Sequence, residues 1–288
     1  MIAAVCFALL AIKQDEDIPA VIDRIECPSQ VVLPMQDSAR QAPVINLEIG
    51  GKTYHFALDT GATGGRISPA IVENLGLKPV GVVHAGDPSG KNVREVKIYK
   101  IPEIKAGAAT LHGVRMMSDD GVAPHGSKAY FDGVIGYAAF HDLLLTLDYP
   151  NRQVILTPGG MSKKQIHDSV RYELEHGIPF MQVQVGKVKI GGHVDSGADG
   201  GLAIPSKFKS DMTFDGEPMK VGMARTLFNT VDIYVVKVKD QVSIGGMPLP
   251  IHDIELNDLF PVANIGGRVL HKFKVTIDQK KQRILFEQ

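Results

Sequence analysis

An all-β fold of two pseudo-symmetric lobes around a central cleft is the expectation for this sequence, and three observations carry it. A stretch reading Phe56-Ala57-Leu58-Asp59-Thr60-Gly61-Ala62-Thr63-Gly64-Gly65 returns as His193-Val194-Asp195-Ser196-Gly197-Ala198-Asp199-Gly200-Gly201. Each copy places a carboxylate after an apolar run and follows it with Thr or Ser, Gly, Ala, a variable residue and Gly-Gly. The lobe endings repeat too: Val134-Ile135-Gly136, Leu147-Asp148 and Gln153-Val154-Ile155-Leu156 match Asn264-Ile265-Gly266, Ile277-Asp278 and Gln282-Arg283-Ile284-Leu285. The offset is 136 residues between Asp59 and Asp195 and 130 between Asp148 and Asp278. Such a period is a duplicated lobe, too long for a solenoid repeat. Finally, 30 Gly, 17 Pro and no Trp suit a turn-rich β protein.

Bulk properties narrow the function classes. A chain of 288 residues with 44% hydrophobic residues can bury one large core or two modest ones. A formal net charge of −1 leaves no electrostatic footprint for nucleic acid or an anionic membrane. Cys6 and Cys27 supply neither a disulfide framework nor a four-ligand zinc site. Residues 1–12 are almost wholly apolar, too few to span a bilayer, and of a length that suits the apolar part of a secretory signal. On that reading residues 1–14 are a signal or its remnant and the protein is periplasmic or secreted; the alternative is a buried N-terminal strand.

The elements follow in order. Residues 15–40 form a leading segment or propeptide, with Val21-Ile22 and Val31-Val32-Leu33 interrupted by Pro28 and Pro34. The first lobe spans 41–158. Val44-Ile45-Asn46-Leu47-Glu48-Ile49 alternates at period two, Gly50-Gly51 turns, and residues 54–58 return to deliver Asp59 just past a buried strand. A short helix is expected over 68–77, with Ser68 as cap and Pro69 at its first position. Residues 80–91 read as a hairpin whose tip is Gly86-Asp87-Pro88-Ser89-Gly90. Strands are expected over 93–104 and 109–117, a polar loop over 119–128, a short helix over 137–143, and a hairpin over 144–157. After a linker at 159–170, the second lobe (171–288) repeats the plan: strands at 180–185 and 188–194 lead into Asp195. Its counterpart to the 80–91 hairpin, at 222–229, is shorter and lacks the Gly-Pro tip. Strands follow at 231–238 and 241–249, and a hairpin at 273–286 closes the chain. The Gly-Gly pairs at 50–51, 191–192 and 245–246 read as hairpin turns, and those at 64–65 and 200–201 as sources of flexibility in the two Asp loops.

Asp-Thr/Ser-Gly-Ala followed by an apolar-apolar-Gly resembles the aspartic proteases, particularly the retropepsin-like branch, over residues 44–288. One Asp-Thr-Gly is a weak signal; two in strand-loop context, each trailed by Ile-Gly, are strong. The resemblance implies acid-protease lobes joined on one chain in the pepsin manner, acting as a monomer on a peptide or protein substrate without metal or cofactor. Asp59 and Asp195 would be the catalytic pair, one carboxylate taking a proton from water while the other, protonated, bonds the scissile carbonyl. The aspartic-protease dyad, whose like charges about 3 Å apart cannot both ionise, is a standard illustration of such splitting. Thr60 and Ser196 match the hydroxyl residues that brace the two loops, and Gly61 and Gly197 the residues whose backbone approaches the pair.

Substrate contacts implied by the resemblance fall at Ala62, Ala198 and Asp199, and at Gly86, Asp87 and Ser89 of the flap. Asp199 stands where retropepsins carry an Asp that bonds the substrate main chain, Thr63 replaces it in the first lobe, and Arg268 is a partner for it. Ala62 and Ala198 stand where pepsins often have a hydroxyl; losing that donor raises the pair's apparent pKa and sets a mildly acidic to near-neutral optimum. Asn264 departs from the family by replacing an apolar residue. His193 is expected to point away from the pair or to the surface. No His-Glu-x-x-His spacing occurs, and Ser127 and Ser206 lack a nucleophile-elbow context. A peptide-binding protein of the same fold with little hydrolysis, and a dimer pairing lobes between chains, are the alternatives.

Overall fold

The computed structural model describes residues 2–5, 11–12, 21–86, 94–118, 131–225 and 230–288. Strands dominate, in three sheets: one for each lobe and one shared between them. In the first lobe Val44–Ile49, Lys52–Asp59, Gly133–Gly136, Gly65–Ile67, Ala109–Ser118 and Arg94–Ala106 pair in that order. Arg94–Ala106 then returns to Val44–Ile49, which closes a barrel. Period-two burial fills it: Ile45, Leu47, Ile49, Phe56 and Leu58 are fully enclosed. Gly50 and Gly51 have φ of 58° and 76°, the left-handed conformation that a two-residue hairpin turn demands.

The second lobe repeats the path through Ile178–Val185, Val188–Val194, Ala263–Ile265, Leu202–Ile204, Asp253–Leu256 and Thr230–Lys237. The first lobe's long strand Arg94–Ala106 serves both flap and barrel, whereas its counterpart is divided into Thr230–Lys237 and Val242–Ile244. Val242–Ile244 pairs with Ile178–Val185, as the end of Arg94–Ala106 pairs with Val44–Ile49. The expectation of an all-β fold of two pseudo-symmetric lobes is met, with a closed barrel in the first lobe.

The shared sheet holds the lobes together. Its order is Val170–Arg171, Arg283–Glu287, Lys274–Asp278, Leu143–Asp148, Gln153–Pro158, Val31–Pro34, all antiparallel. The central register pairs Leu144 with Asp278 and Asp148 with Lys274, so Thr146 and Thr276 face each other on the pseudo-two-fold axis. Their hydroxyls are 2.9 Å apart in a buried bond. Leu145, Leu147, Val275 and Ile277 are completely buried around it.

The leading segment is woven into this frame. Val31–Pro34 forms the outer strand of the shared sheet with Val31 and Leu33 buried, and Arg24–Glu26 pairs with Ala109–Ser118. Ile2–Val5 lies parallel to Met219–Arg225 and Ala11–Ile12 antiparallel to Pro79–Gly86, so parts of the apolar N-terminal run form short strands on the two flap hairpins.

Several local expectations change. The linker contains a helix, Lys163–Asp168, held by a capping box in which the Gln165 amide donates to Ser162 Oγ (3.3 Å) and the Ser162 amide to Gln165 Oε1 (3.0 Å). The first-lobe helices shrink to Pro69–Asn74 and the 3₁₀ turn Tyr137–Phe140. Gly191-Gly192 is no turn: both residues sit inside Val188–Val194, where a Cβ at Gly191 would stand 2.0 Å from the Phe180 ring. Glycine is there so that Phe180 can lie across the strand. Gly65 likewise begins a strand, and a Cβ on it would come 2.8 Å from the Val134 carbonyl oxygen. Close approach, rather than flexibility, explains it.

Candidate active site

Asp59 ends the strand Lys52–Asp59, which runs parallel to Gly133–Gly136 with Asp59 opposite Gly136. Asp195 follows Val188–Val194, whose last residue pairs with Ile265, and the Asp195 amide donates to the Ile265 carbonyl at 3.0 Å. Each aspartate is thus carried inward by a strand whose last residues are buried on both faces. Both are completely enclosed, at 0% and 1% exposure. Each carboxylate is held by its own loop: the Gly61 amide donates to Asp59 Oδ1 (2.8 Å) and the Ala198 amide to Asp195 Oδ1 (2.9 Å).

The two loops interlock. Thr60 Oγ1 donates to the Val194 carbonyl (2.7 Å) and accepts from the Ser196 amide (2.9 Å). Ser196 Oγ donates to the Leu58 carbonyl (2.8 Å) and accepts from the Thr60 amide (2.9 Å). These four reciprocal bonds, buried and two-fold related, fix the separation of the aspartates. The glycines complete the arrangement. A Cβ on Gly61 would stand 2.6 Å from Asp195 Cγ, and one on Gly197 would stand 2.4 Å from Asp59 Cγ. Only glycine leaves room for the opposite carboxyl.

Burial comes first among the forces on both carboxyls and raises both above the ordinary carboxylate range. For Asp59 the neighbouring Asp195 charge adds to it and lifts the group well above that range. For Asp195 the Asn264 side chain works in the other direction. Asn264 Nδ2 donates to Asp195 Oδ2 at 2.9 Å. Asp59 Oδ2, equally buried, receives no side-chain donor among the described residues, although the Gly61 and Gly197 backbones favour the charged form of this carboxyl. The buried Tyr149 hydroxyl has no hydrogen-bond partner among the described residues, and it is raised above its ordinary range by burial and then by the charges of Asp195 and Asp59.

The fourth residue of each loop is tied to the other half of the chain. Asp199 Oδ1 accepts from the Gln41 amide (2.8 Å), and Oδ2 lies 3.0 Å from Arg40 Nη1. Thr63 Oγ1 donates to the His176 carbonyl at 2.8 Å. Arg268, expected beside the Asp199 carboxylate, instead donates through Nε to the Asp199 backbone carbonyl (3.1 Å) and stands 3.7 Å from Glu255 Oε1. Glu255 is itself buried and accepts from the Gly201 amide at 2.8 Å. With Ala198, Ala203, Ile233, Phe260 and Asn264 it lines a small cavity beside the second loop.

Of the residues singled out from sequence, Asp59, Thr60, Gly61, Ala62, Asp195, Ser196, Gly197, Ala198 and Asp199 converge on the two facing loops. Gly86 ends the first-lobe flap strand Pro79–Gly86. Asp87 and Ser89, like the loop at 119–128, lie outside the described residues. His193 is not at the surface: it is 5% exposed, with Nε2 2.7 Å from Glu175 Oε2 and its ring 5.2 Å from that of Phe180. Burial holds its imidazole below the ordinary range, against the pull of Glu175. Sequence reasoning missed Arg40, Gln41, Glu175, Glu255 and Tyr149. Only Asn264 carried a signal, as a polar residue at an apolar position.

Residues 45–139 match the family model described as Aspartyl protease. The first lobe is therefore similar to the aspartyl proteases over those residues, and the second lobe, outside that match, repeats its strands and loops. A search of curated proteins returned no match.

Proposed function

We propose that this protein is an aspartic endopeptidase that acts as a monomer on extended peptide, using water activated between Asp59 and Asp195. One observation carries this reading: two fully buried carboxyls from pseudo-symmetric loops, each facing the other loop's glycine, are locked by the Thr60–Ser196 bonds. In the reaction one carboxylate takes a proton from water as the water oxygen bonds to the scissile carbon. The other, protonated, gives its proton to the carbonyl oxygen. Collapse of the resulting gem-diol breaks the C–N bond, with a proton passing to the leaving amine. Every proton is supplied by the pair and the water.

Activity needs one protonated and one ionised carboxyl. It falls at low pH, where both are protonated, and at high pH, where both are ionised. Because burial raises both groups, the window lies in the mildly acidic to near-neutral range, above that of a solvent-exposed carboxylate. Cleavage of a diverse peptide library between about pH 3 and 8 tests this, with size-exclusion mass measurement beside it. A monomer with an optimum in that window supports the proposal. A sharp maximum below about pH 3 contradicts the account of the pair. A well-folded protein that binds peptides and cleaves none of them, at any pH, would make it a binding protein.

A further inference from the structure

The two catalytic strands are copies, yet the residues flanking their carboxyls differ in kind. Register places Ala57 beside Val134 in the first lobe and His193 beside Asn264 in the second. Ala57 and Val134 belong to a small buried apolar cluster with Ala42, Val44 and Phe131. At the matching positions His193 leans on Phe180 and pairs with Glu175, and Asn264 reaches Asp195. No residue of the first cluster has a side-chain donor to offer Asp59.

We infer that Asn264 is a positioning residue that makes the two catalytic carboxyls unequal, so that the shared proton rests on Asp59 and Asp195 is the carboxylate that activates water. The inference rests on the proposed dyad. An amide N–H donated to a carboxylate oxygen favours the ionised form, and Asp195 Oδ2 receives one at 2.9 Å. Backbone amides favour the charge on both carboxyls, Gly61 and Gly197 on Asp59 and Ala198 on Asp195, but among the described residues no side chain donates to the enclosed Asp59 Oδ2, which suits an oxygen that itself carries the hydrogen.

Other groups near Asp195 do not reverse this. His193 acts toward the same end, though burial disfavours its charge. Glu175 is joined to His193, and His176 acts on that imidazole from the adjoining turn. Tyr149, raised above its ordinary range, stays neutral across the working pH.

The test reads protonation without turnover. Protein labelled with carbon-13 at the aspartate carboxyl carbon is titrated as Asp59→Asn and as Asp195→Asn, each leaving one carboxyl of the pair. Asp195 should ionise at lower pH than Asp59. Adding Asn264→Val to Asp59→Asn should raise the Asp195 midpoint by about one to two pH units, the size of one lost hydrogen bond to a charged group. Asn264→Thr, of the same shape with a hydroxyl donor, should recover part of the shift. In the otherwise wild-type enzyme, Asn264→Val should move the acidic limb of kcat/KM upward by a similar amount. Equal midpoints in the two single variants, or a lower one for Asp59, overturn the inference. So does an Asn264→Val variant that melts earlier without moving the midpoint. If Asn264→Val does not fold, the two single variants still decide. Absence of peptidase activity counts against the proposed function and leaves this titration to be read by itself.

Discussion

The chain builds the same backbone behind Asp59 and behind Asp195 and fills it with different chemistry. Ala42, Val44, Ala57, Phe131 and Val134 form an apolar patch in the first lobe. The matching positions in the second include His193, Glu175 and Asn264, with an imidazole–carboxylate contact of 2.7 Å and an amide bonded to the Asp195 carboxylate. The loops themselves stay symmetric, down to the four bonds exchanged by Thr60 and Ser196. Duplication therefore preserves what holds the aspartates at a fixed separation, while the neighbouring positions are free to make them unequal. In the proposed reaction a pair that shares one proton uses both properties.

The symmetric half of that comparison predicts the largest effects. Gly61→Ala and Gly197→Ala should each cut kcat/KM by about 100-fold or more, because the new Cβ displaces the opposite carboxyl and small misplacements of reacting groups are costly. Near-equal losses support the two-fold arrangement; tolerance of either alanine breaks it. Thr60→Val and Ser196→Ala come next. Each removes a buried hydroxyl that both donates and accepts, and each should cost about 2–4 kcal/mol in urea unfolding. A large loss for one and none for the other would show that the grip is one-sided.

The asymmetric half is sharpened by stability against pH. Asp59 is raised well above its ordinary range in the folded protein, so its contribution favours folding at low pH and is lost as pH rises through its folded value. Asp59→Asn, which stays neutral, should therefore stabilise the fold by about 1–3 kcal/mol near pH 8, with the gain fading as pH falls and wild-type Asp59 takes up its proton. Asp195→Asn should gain less, because Asn264 already supports the charge it removes. Equal gains would contradict the unequal pair. The smallest effects concern the ties from each loop to the other half of the chain. Arg40→Ala should cost about 1–2 kcal/mol and Thr63→Val about 0.5–1.5 kcal/mol, measured by urea midpoint. A larger loss at Thr63 than at Arg40 would reverse the ranking.

Much of the fold was legible in the sequence because local chemistry determined it. Period-two alternation at residues 44–49, the Gly50-Gly51 turn and the repeated Asp motif all act within a few residues. That Val242–Ile244 pairs with the distant strand Ile178–Val185 was not legible, because it depends on tertiary contacts. Gly191-Gly192 misled for the same reason, since its glycines make room for Phe180, which lies eleven residues earlier than Gly191 in the sequence. Within the site, Asp59, Asp195 and their glycines announced themselves by repetition. Arg40, Gln41 and Glu175 did not, because each acts on a loop far away in the chain and stands in no motif. Asn264 was visible only as an amide where the pattern calls for an apolar side chain; its bond to Asp195 at 2.9 Å depends on the fold.

The most direct test of the whole account is cleavage of a diverse peptide library by wild type, Asp59→Asn and Asp195→Asn, prepared side by side near the optimum pH. Cleavage by wild type that each single substitution reduces by at least about 1,000-fold, with all three proteins folded and monomeric, is the expected result. Cleavage that survives either substitution would contradict a single-chain pair and place the activity elsewhere.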